Sequence, residues 1–378
     1  MILCYAWTDT QIDNLVRIRS GIYPDQKVDL LIYKLSRVSD DLIAAVKMSD
    51  IFDHIYILEM PEFYLERCRK RFSEKLEAVF LGRKYRDYFS RQLDRLIGGK
   101  EYTHFLTSAF WSESLLVIRY LRKCQTDIRI TLYEEGLSAY NGPPNWLFQA
   151  VPNRSVKAKI RTILYYGITS FTYRKYVDGI YLYKPELSNV DYLEKRQIPL
   201  AAGQIEIING WQETSEEAEN AYRQCDVIYV AEAPKAKSGN RIQNVYEVLD
   251  AILFVNKDAK VVVKAHPTMQ SIGAAFDEEY RQNVYFDYRS ARIESILSKI
   301  EMDEKIIISG NSAGPLYIRW VYGKNPYIIL MCLENKKALK EYAHRFIENC
   351  ENGKAYALKD MKELKRVLNM ILTEKAED

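Results

Sequence analysis

Short apolar runs alternate with segments of helical periodicity along most of this chain, and this alternation constrains the fold more than any other feature. In the first half, five runs have the length and the apolar content of buried strands. They are Ile2–Trp7, Val28–Tyr33, His54–Leu58, Thr103–Thr107 and Ile128–Glu134. Segments with apolar residues at helical spacing separate them, and strands that alternate with helices form a parallel sheet covered by helices.

The second half resumes the alternation, which predicts a second parallel-sheet domain. The predicted strands are 227–231, 260–265, 284–287, 305–309 and 327–330, and the predicted helices are 241–254, 291–300, 313–322, 336–348 and 358–372. A chain of 378 residues is too long for one ordinary hydrophobic core, so two domains are expected. The predicted architecture is therefore α/β, with two such domains facing each other across a cleft.

The regular alternation fades in the middle of the chain, between about residues 142 and 203. Three prolines, Pro152, Pro185 and Pro199, punctuate this stretch, as expected of a connecting region. We therefore predict an interdomain boundary between Tyr183 and Gln212. On this basis residues 1–190 form the first domain and residues 191–378 form the second.

The charge of the chain is nearly balanced in total but uneven along the sequence. The formal net charge of +3 is small for this length and argues against a protein that binds duplex nucleic acid. Two stretches are nevertheless basic, a helical insertion predicted over 62–96 and the segment 154–175. Each is most simply interpreted as a solvated surface. Because aromatic residues are interleaved with the basic ones, an anionic membrane surface or an acidic glycan is the alternative partner.

The cysteines and the hydropathy pattern indicate a reduced compartment. Six cysteines are scattered without a CxxC pair, which argues against a structural zinc and against a disulfide scaffold; Cys4 and Cys332 are interpreted as small core residues. The N-terminal run is interpreted as a first strand, not as a signal peptide. No window approaches the roughly twenty apolar residues of a membrane-spanning helix. The expected location is the cytoplasm, with peripheral binding at the inner face of the plasma membrane as the alternative.

Two adjacent glutamates stand where the fifth predicted strand ends, and a glycine follows them. Ligands of open α/β sheets bind outside the carboxyl ends of the strands. Adjacent side chains of a strand point to opposite faces, so only Glu134 or Glu135 enters a given cleft, and Gly136 lets the chain turn beside them. A carboxylate in this place suits a general base, and two solvated glutamates before a turn are the alternative.

A histidine with the same kind of placement ends a predicted strand of the second half. His266 follows the run 261–265, and Pro267 biases its backbone away from the helical region. An imidazole in this place would donate a hydrogen bond or a positive charge to a leaving phosphate. The other three histidines are interpreted as structural residues, which is the usual role of a lone histidine; they are His54, His104 and His344.

A third element is a loop of small residues between a predicted strand and a predicted helix. It contains Ser309, Gly310, Asn311 and Ser312. Small residues let the backbone approach a ligand, and the N–H groups at a helix start attract a phosphate. The alternative is a helix cap in which the Ser312 hydroxyl accepts a hydrogen bond, and one serine can serve both purposes.

Other common site types lack their motifs in this chain. The sequence has no GxxxxGK[ST] phosphate loop, no GxGxxG dinucleotide motif and no HExxH zinc motif. Asp40 and Asp41 precede an apolar run and indicate a helix start, not a metal site. No DxD pair is present, so we expect that no metal neutralises a leaving phosphate.

In their order along the chain, the three elements resemble the motifs of the bacterial sialyltransferases of lipooligosaccharide and capsule, and of the related capsular polysialyltransferases. Those enzymes share a D/E-D/E-G motif in the first lobe, an HP motif in the second and a serine-rich motif further on. The matching segments here are Glu134-Glu135-Gly136, His266-Pro267, and Ser309 with Ser312. The third motif departs from the family, because two residues separate the serines where the family often has adjacent hydroxyl residues.

The resemblance implies a GT-B fold of two Rossmann-like domains and an inverting transfer of sialic acid from CMP-sialic acid, without a metal or another cofactor. The acceptor would be a hydroxyl of a cell-surface glycan, lipooligosaccharide or capsule. An acidic residue of the first motif would deprotonate it, with Glu134 preferred over Glu135, and His266 would meet the CMP phosphate. The implied donor-contacting residues are Gly136, Pro267, Ser309, Gly310, Asn311 and Ser312.

Two other functions fit the same sequence. One is a GT-B transferase or epimerase that uses a different nucleotide sugar, because such enzymes also place a histidine and a helix start near the donor phosphate. The other is a noncatalytic scaffold of a polysaccharide-assembly complex, which would bind lipid or a protein partner through the basic stretches. A nucleotide would have no effect on such a scaffold.

Overall fold

The computed structural model divides the chain into two compact units, Met1–Trp211 and Gln212–Asp378. The boundary lies at the end of the predicted window and later than residue 190, because the strand Glu194–Gln197 pairs with the sheet of the first unit. The residues that the structure describes are 1–34, 38–59, 75–108, 112–125, 127–136, 138–141, 176–200, 215–231, 240–265, 280, 282–289, 293–310, 312, 314–331, 337–350 and 353–377.

The first unit is built on a seven-stranded sheet in which every pair of neighbouring strands is parallel. Its strands are β1 Ile2–Ala6, β2 Val28–Lys34, β3 His54–Glu59, β4 His104–Thr107, β5 Arg129–Tyr133, β6 Val177–Leu182 and β7 Glu194–Gln197. They lie in the order β3-β2-β1-β4-β5-β6-β7. The described helices of this unit are α1 Asp9–Ile22, α2 Asp40–Met48, α3 Lys75–Ile97, α4 Ser112–Cys124 and α5 Ser138–Asn141.

Helix α1 follows β1 directly and is buried along most of its length. The Thr8 hydroxyl caps its N-terminus by accepting a hydrogen bond from Gln11 N at 3.3 Å. Every residue from Gln11 to Ile18 is buried, and four of these residues are polar or charged. Buried polar side chains need hydrogen-bond partners, and Gln11 and Asn14 find theirs just beyond the ends of β4 and β5.

The second unit is built on a six-stranded sheet, again with parallel pairs throughout. Its strands are β8 Val227–Val230, β9 Val261–Lys264, β10 Val284–Asp287, β11 Ile306–Ser309, β12 Tyr327–Met331 and β13 Ala355–Leu358. They lie in the order β10-β9-β8-β11-β12-β13. The described helices are α6 Glu216–Gln224, α7 Asn240–Val255, α8 Ile293–Leu297, α9 Gly314–Trp320, α10 Lys337–Glu348 and α11 Met361–Glu377.

Both faces of the second sheet are covered, which explains why its strands are continuous apolar runs. Ile307 and Ile308 are neighbours in β11, yet they belong to two different hydrophobic clusters, one on each face. Both side chains are fully buried. Because successive side chains of a strand point to opposite faces, a strand buried on both sides has no polar alternation in its sequence. The predicted strands of both halves are confirmed for this reason.

Five of the described strands and α-helices, β6, β7, α5, α6 and β13, are absent from the sequence prediction. Strand β7 has the sequence Glu-Lys-Arg-Gln and lies at the edge of its sheet, so it lacks an apolar run. Strand β6 includes Gly179, where a Cβ would lie 2.8 Å from the carbonyl oxygen of Glu194; the two strands approach closely only because the residue is glycine. Helix α6 buries only Ala218 and Tyr222, too few residues to produce helical periodicity in the sequence.

Several smaller predictions also meet the structure here. The Ser39 hydroxyl accepts a hydrogen bond from Leu42 N at 3.2 Å, so α2 begins at Asp40 as predicted. Cys4 is a buried core residue of β1, whereas Cys332 lies outside the described residues. Within the described part of the chain, no helix combines the length and the apolar character needed to cross a membrane.

The two basic stretches lie largely outside the described residues. In the first, residues 62–74 are not among them, and the rest lies in the helix Lys75–Ile97, in agreement with the predicted helical insertion. The second stretch, 154–175, is entirely outside the described residues. Binding to an anionic membrane surface therefore stays a prediction.

Candidate active site

Each sheet has a point where the strand order reverses, and this point marks where a ligand is expected. In the first sheet the reversal lies between β1 and β4, and in the second it lies between β8 and β11. In open parallel sheets, ligands bind outside the carboxyl ends of the strands at such a point. Ser108, which follows β4, and Ser309, which ends β11, lie at these two places.

Glu134 is fully buried at the end of β5. Its Oε2 atom accepts a hydrogen bond from Tyr183 N at 2.8 Å and another from the Tyr140 hydroxyl. Its backbone carbonyl accepts from Asn14 Nδ2 at 2.9 Å, and Asn14 Oδ1 accepts from the Tyr183 hydroxyl at 2.7 Å. These contacts tie the end of β5 to α1, to α5 and to the end of β6. The Glu134 carboxylate is thus part of the interior of the unit.

Glu135, by contrast, is partly exposed at the same strand end. Ser108 Oγ donates a hydrogen bond to its Oε2 atom at 2.9 Å. The chain turns away at Gly136, whose φ of +64° lies in the left-handed region that favours glycine, as predicted. A general base must reach the proton that it removes, so the geometry favours Glu135 over Glu134, the reverse of the preference drawn from sequence.

Other titratable side chains lie near this strand end, where the charges of Glu113 and Glu135 both act on the buried Tyr5. The Tyr133 hydroxyl donates a hydrogen bond to the carbonyl oxygen of Tyr5 at 2.6 Å, and burial raises the pKa of both tyrosines well above the usual value. Glu113, in the first turn of α4, accepts a hydrogen bond from the Tyr85 hydroxyl at 3.2 Å, and burial raises its pKa. Sequence reasoning missed Glu113, although an acidic residue in the first turn of the helix after β4 is a usable signal.

In the second unit, the described part of the HP region ends just before the motif itself. His266 and Pro267 lie outside the described residues. Strand β9 ends at Lys264, and Ala265 N donates to the carbonyl oxygen of Asp287 at 3.0 Å. The residue before the motif therefore lies at the carboxyl end of β9, beside the carboxyl end of β10. This is the end of the strands at which the sequence predicts the site.

A buried ionic cluster lies at the ends of β9 and β10. The guanidinium of Arg289 donates a bidentate pair of hydrogen bonds to the Asp287 carboxylate, from Nε to Oδ1 at 2.8 Å and from Nη2 to Oδ2 at 3.0 Å. Lys264 Nζ lies 3.5 Å from Asp287 Oδ2, and the Tyr222 hydroxyl donates to the same oxygen at 3.0 Å. No motif in the sequence indicates this cluster, since its members are spread over more than sixty residues.

The charges of this cluster depend on one another. Burial by itself would raise the pKa of Asp287, but hydrogen bonds from Arg289 and the charge of Lys264 outweigh it, so that pKa lies below its usual value. Burial lowers the pKa of Lys264, and the charge of Asp287 opposes this effect. Asp287 is therefore the anion that keeps two neighbouring cations in place.

The serine loop lies at the end of β11, where the strand order reverses. Ser309 is fully buried, and its hydroxyl accepts a hydrogen bond from Ser312 N at 3.3 Å. Ser312 Oγ in turn accepts from Gly314 N at 3.2 Å, which confirms its predicted capping contact at the start of α9. Gly310 is buried, and Asn311 lies outside the described residues.

Close packing surrounds the glycine that begins α9. A Cβ on Gly314 would lie 3.3 Å from Glu294 Oε1 and 3.4 Å from Ser312 Oγ. Glu294, which sequence reasoning also missed, thus lies beside the serine loop, and its charge acts on Lys264 at the end of β9. The ends of β9 and β11 and the start of α9 therefore form one polar region. Among the described residues, no group of three or more His, Cys, Asp or Glu side chains is arranged to hold a metal ion.

The other described histidines lie away from this edge. His54 contacts Asp29, with Nδ1 to Oδ1 at 3.0 Å, and His344 is exposed on α10. His104 is buried at the start of β4, where its Nε2 atom lies 2.5 Å from Thr131 Oγ1. The predicted structural role fits the contacts of His54 and His104, and for His344 it stays a prediction.

The burial of His104 predicts a loss of stability in acid. Burial lowers its pKa from 6.5 to about 4, so below pH 6.5 the unfolded chain binds a proton that the folded chain does not. The contribution of His104 to the free energy of unfolding is therefore fully present above pH 6.5. It is lost as the pH falls from 6.5 to about 4, by on the order of 3 kcal/mol. Denaturant midpoints measured across this range should fall less steeply in His104→Gln. Equal slopes in the variant and the wild type would contradict this assignment.

Comparisons with known proteins agree with this architecture. A family model described as alpha-2,8-polysialyltransferase matches residues 30–314, about three quarters of the chain. A comparison with curated protein sequences finds no match. The resemblance to lipooligosaccharide sialyltransferases in particular stays a prediction.

Solved structures of similar fold cover nearly the whole chain. A UDP-N-acetylglucosamine 2-epimerase has a TM-score of 0.57 at 12% identity, with 100% of this chain and 88% of that chain covered. Medicago truncatula UGT71G1, complexed with UDP-glucose, has a TM-score of 0.56 at 10% identity, with coverages of 100% and 93%. The glycotransferase of kitacinnamycin has a TM-score of 0.55 at 12% identity, with coverages of 99% and 91%. These structures confirm the GT-B fold of two Rossmann-like parallel-sheet domains.

Proposed function

Because this chain belongs to the alpha-2,8-polysialyltransferase family, we propose that it transfers sialic acid from CMP-sialic acid to a hydroxyl of a cell-surface glycan. The acceptor binds to the first unit and the donor to the second. The observation that carries this mechanism is the position of Glu135, the partly exposed carboxylate at the carboxyl end of β5, held by Ser108 where the strand order reverses.

In the proposed reaction, Glu135 acts as the general base. Its carboxylate takes the proton of the acceptor hydroxyl while the acceptor oxygen attacks the anomeric carbon of sialic acid. The bond between that carbon and the phosphate oxygen of CMP breaks, and its electron pair leaves with the phosphate. A single displacement of this kind inverts the anomeric configuration. General-base catalysis typically contributes about 10²- to 10⁴-fold to the rate.

The donor side is supported by the polar region at the ends of β9 and β11. His266 follows Ala265 in the sequence and, in the proposed mechanism, donates a hydrogen bond or a positive charge to the leaving phosphate. Ser309 and Ser312 provide hydroxyl groups within the same edge. CMP is a good leaving group, so these residues suffice for departure of the phosphate in a reaction that uses no metal.

A nucleotide panel tests the donor class. Unfolding temperatures would be measured with CMP, CDP, UDP and GDP, because a ligand that binds only the folded state stabilises it by about 2.7 kcal/mol at 100 times its Kd. We expect CMP to raise the unfolding temperature most, by several degrees, and Ser309→Ala to reduce that rise. A larger rise with UDP or GDP would contradict the sialic acid donor and favour a different nucleotide sugar. No rise with any nucleotide would favour the noncatalytic scaffold.

A direct assay tests the transfer itself. The protein would be incubated with CMP-sialic acid and with acceptors that end either in galactose or in sialic acid. Formation of a product larger by one or more sialic acid residues is the expected result, and the two acceptor types distinguish initiation from extension of a sialic acid chain. CMP-dependent stabilisation without transfer to either type would contradict the proposed acceptor class.

A further inference from the structure

We propose that Ser108 is a positioning residue for Glu135, because a hydrogen-bonded relay from Trp7 through Gln11 commits the only proton of its hydroxyl to the Glu135 carboxylate. This inference rests on the proposed role of Glu135 as the base. The relay has three contacts: Trp7 N to Gln11 Oε1 at 2.8 Å, Gln11 Nε2 to Ser108 Oγ at 2.9 Å, and Ser108 Oγ to Glu135 Oε2 at 2.9 Å.

The direction of every contact in the relay is fixed by chemistry. A backbone N–H can only donate, so the Gln11 side-chain atom facing Trp7 N must be the amide oxygen. The amide nitrogen of Gln11 then faces Ser108 and can only donate, so Ser108 Oγ accepts there. A hydroxyl has one proton, and since Gln11 donates to the Ser108 oxygen, Ser108 donates that proton to a neighbouring acceptor. Two acceptors lie within its reach, the Tyr133 hydroxyl and Glu135 Oε2 at 2.9 Å. The ionised carboxylate can only accept and makes the stronger hydrogen bond, so the proton points to Glu135.

Burial and topology make this relay rigid. Gln11 is fully buried and Ser108 is 3% exposed, so water does not compete for these hydrogen bonds. The residues come from the end of β1, from α1 and from the ends of β4 and β5. The relay therefore spans the point where the strand order of the first sheet reverses. A side chain held by such a network keeps one rotamer, as a base must when it receives a proton from a bound acceptor.

The relay also favours the ionised form of Glu135. A hydrogen bond donated to a carboxylate stabilises its charged form, which is the form that accepts a proton. Other titratable groups nearby are Glu113 on α4, Tyr5 on β1 and Tyr133 on β5. Burial raises the pKa values of both tyrosines well above their usual range, so they stay neutral between pH 5 and 9. Glu113 is the group whose titration has to be separated from that of Glu135.

Ser108→Ala, Ser108→Thr and Gln11→Met test the relay through the pH dependence of kcat/KM in the transfer assay. We expect Ser108→Ala to move the acidic limb to higher pH by about one unit, the equivalent of one hydrogen bond to a charged group. At a pH below the limb, kcat/KM of Ser108→Ala should therefore be about tenfold lower than that of the wild type at the same pH. Ser108→Thr retains a hydroxyl and should keep the wild-type limb. Gln11→Met leaves the serine proton undirected and should give a smaller shift in the same direction.

Two controls keep the interpretation specific. Glu113→Gln identifies any part of the acidic limb that belongs to Glu113, and unfolding temperatures show whether each variant is folded at the assay temperature. An unchanged limb in folded Ser108→Ala, or a limb that moves with Glu113→Gln instead, would overturn the inference. Normal turnover in Glu135→Gln would contradict the proposed base itself, which is a separate result.

Discussion

Replacing Glu135 by Gln is expected to lower sialyl transfer by about 10²- to 10⁴-fold while leaving the unfolding temperature close to that of the wild type. The amide has the shape of the carboxylate and still accepts the hydrogen bond from Ser108, but it does not take a proton from the acceptor. The measurement is kcat with saturating CMP-sialic acid, together with a thermal unfolding scan. Turnover near the wild-type value in this variant would refute the assignment of the base.

Glu134 offers a matched control one residue away. Glu134→Gln keeps a side-chain oxygen that accepts from Tyr183 N and Tyr140, so it should retain most of the transfer activity. Glu134→Ala leaves those two donors without this acceptor, and each buried donor left unsatisfied costs about 1–3 kcal/mol. The pair therefore separates the two glutamates: loss of activity at position 135 and loss of stability at position 134.

The strand pattern could be predicted from sequence because the central strands of the two sheets are buried on both faces. Apolar runs such as those of β8, β9 and β11 have no other explanation in a chain of ordinary composition. The same reasoning fails at two of the sheet edges, β7 and β13. Strand β7 is polar, and β13 has the sequence Ala-Tyr-Ala-Leu, without a β-branched residue and with its two central residues only half-buried, so neither produces a run that differs from a loop. The domain boundary moved to residue 211 because β7 belongs to the first sheet.

The placement of the glutamate pair and of Ser309 at the carboxyl ends of strands could also be predicted, but which of the two glutamates is buried could not. Parallel strands place their carboxyl ends at one edge, so motifs that follow strands must lie there. Which of two adjacent glutamates is buried depends on partners that are far away in the sequence. Tyr183 is 49 residues from Glu134, and Asn14 is 120 residues from it. No local pattern records these contacts.

The family could be predicted from the order of three short motifs, and the family match confirms the polysialyltransferase part of that resemblance. The motifs name the residues that touch the substrates in the proposed mechanism. The residues that orient them, such as Gln11 and Ser108, belong to no motif, because their role is defined by hydrogen bonds between separate elements. Sequence motifs and structure therefore supply different parts of the proposed site.

Asp287→Asn is expected to destabilise the second unit by about 3–5 kcal/mol, the usual cost of removing one partner from a buried ion pair. The Asp287 side chain is fully buried and that of Lys264 is 8% exposed, so the lysine would lose the anion that lies 3.5 Å from its Nζ atom. The charge of Glu294, which also acts on Lys264, has a smaller effect and replaces that anion only in part. Arg289 is 28% exposed and can turn toward solvent, which places the main cost on Lys264. The free energy of unfolding, measured with denaturant, is the test.

A double variant isolates the electrostatic cause. Lys264→Met together with Asp287→Asn removes the buried cation as well as the anion, and replacing both members of a buried pair by uncharged groups is often nearly neutral. We therefore expect the double variant to be more stable than Asp287→Asn alone. Equal stability of the two would show that Asp287 acts through packing or through its hydrogen bond from Tyr222 instead.

The same variants also test whether the buried cluster affects the donor site. Because His266 follows β9 closely in the sequence, CMP should stabilise Asp287→Asn less than it stabilises the wild type. The balance of charge at the ends of β9 and β10 determines how firmly the end of β9 is held. Partial recovery of the CMP-dependent stabilisation in the double variant would therefore link the buried cluster to the donor site.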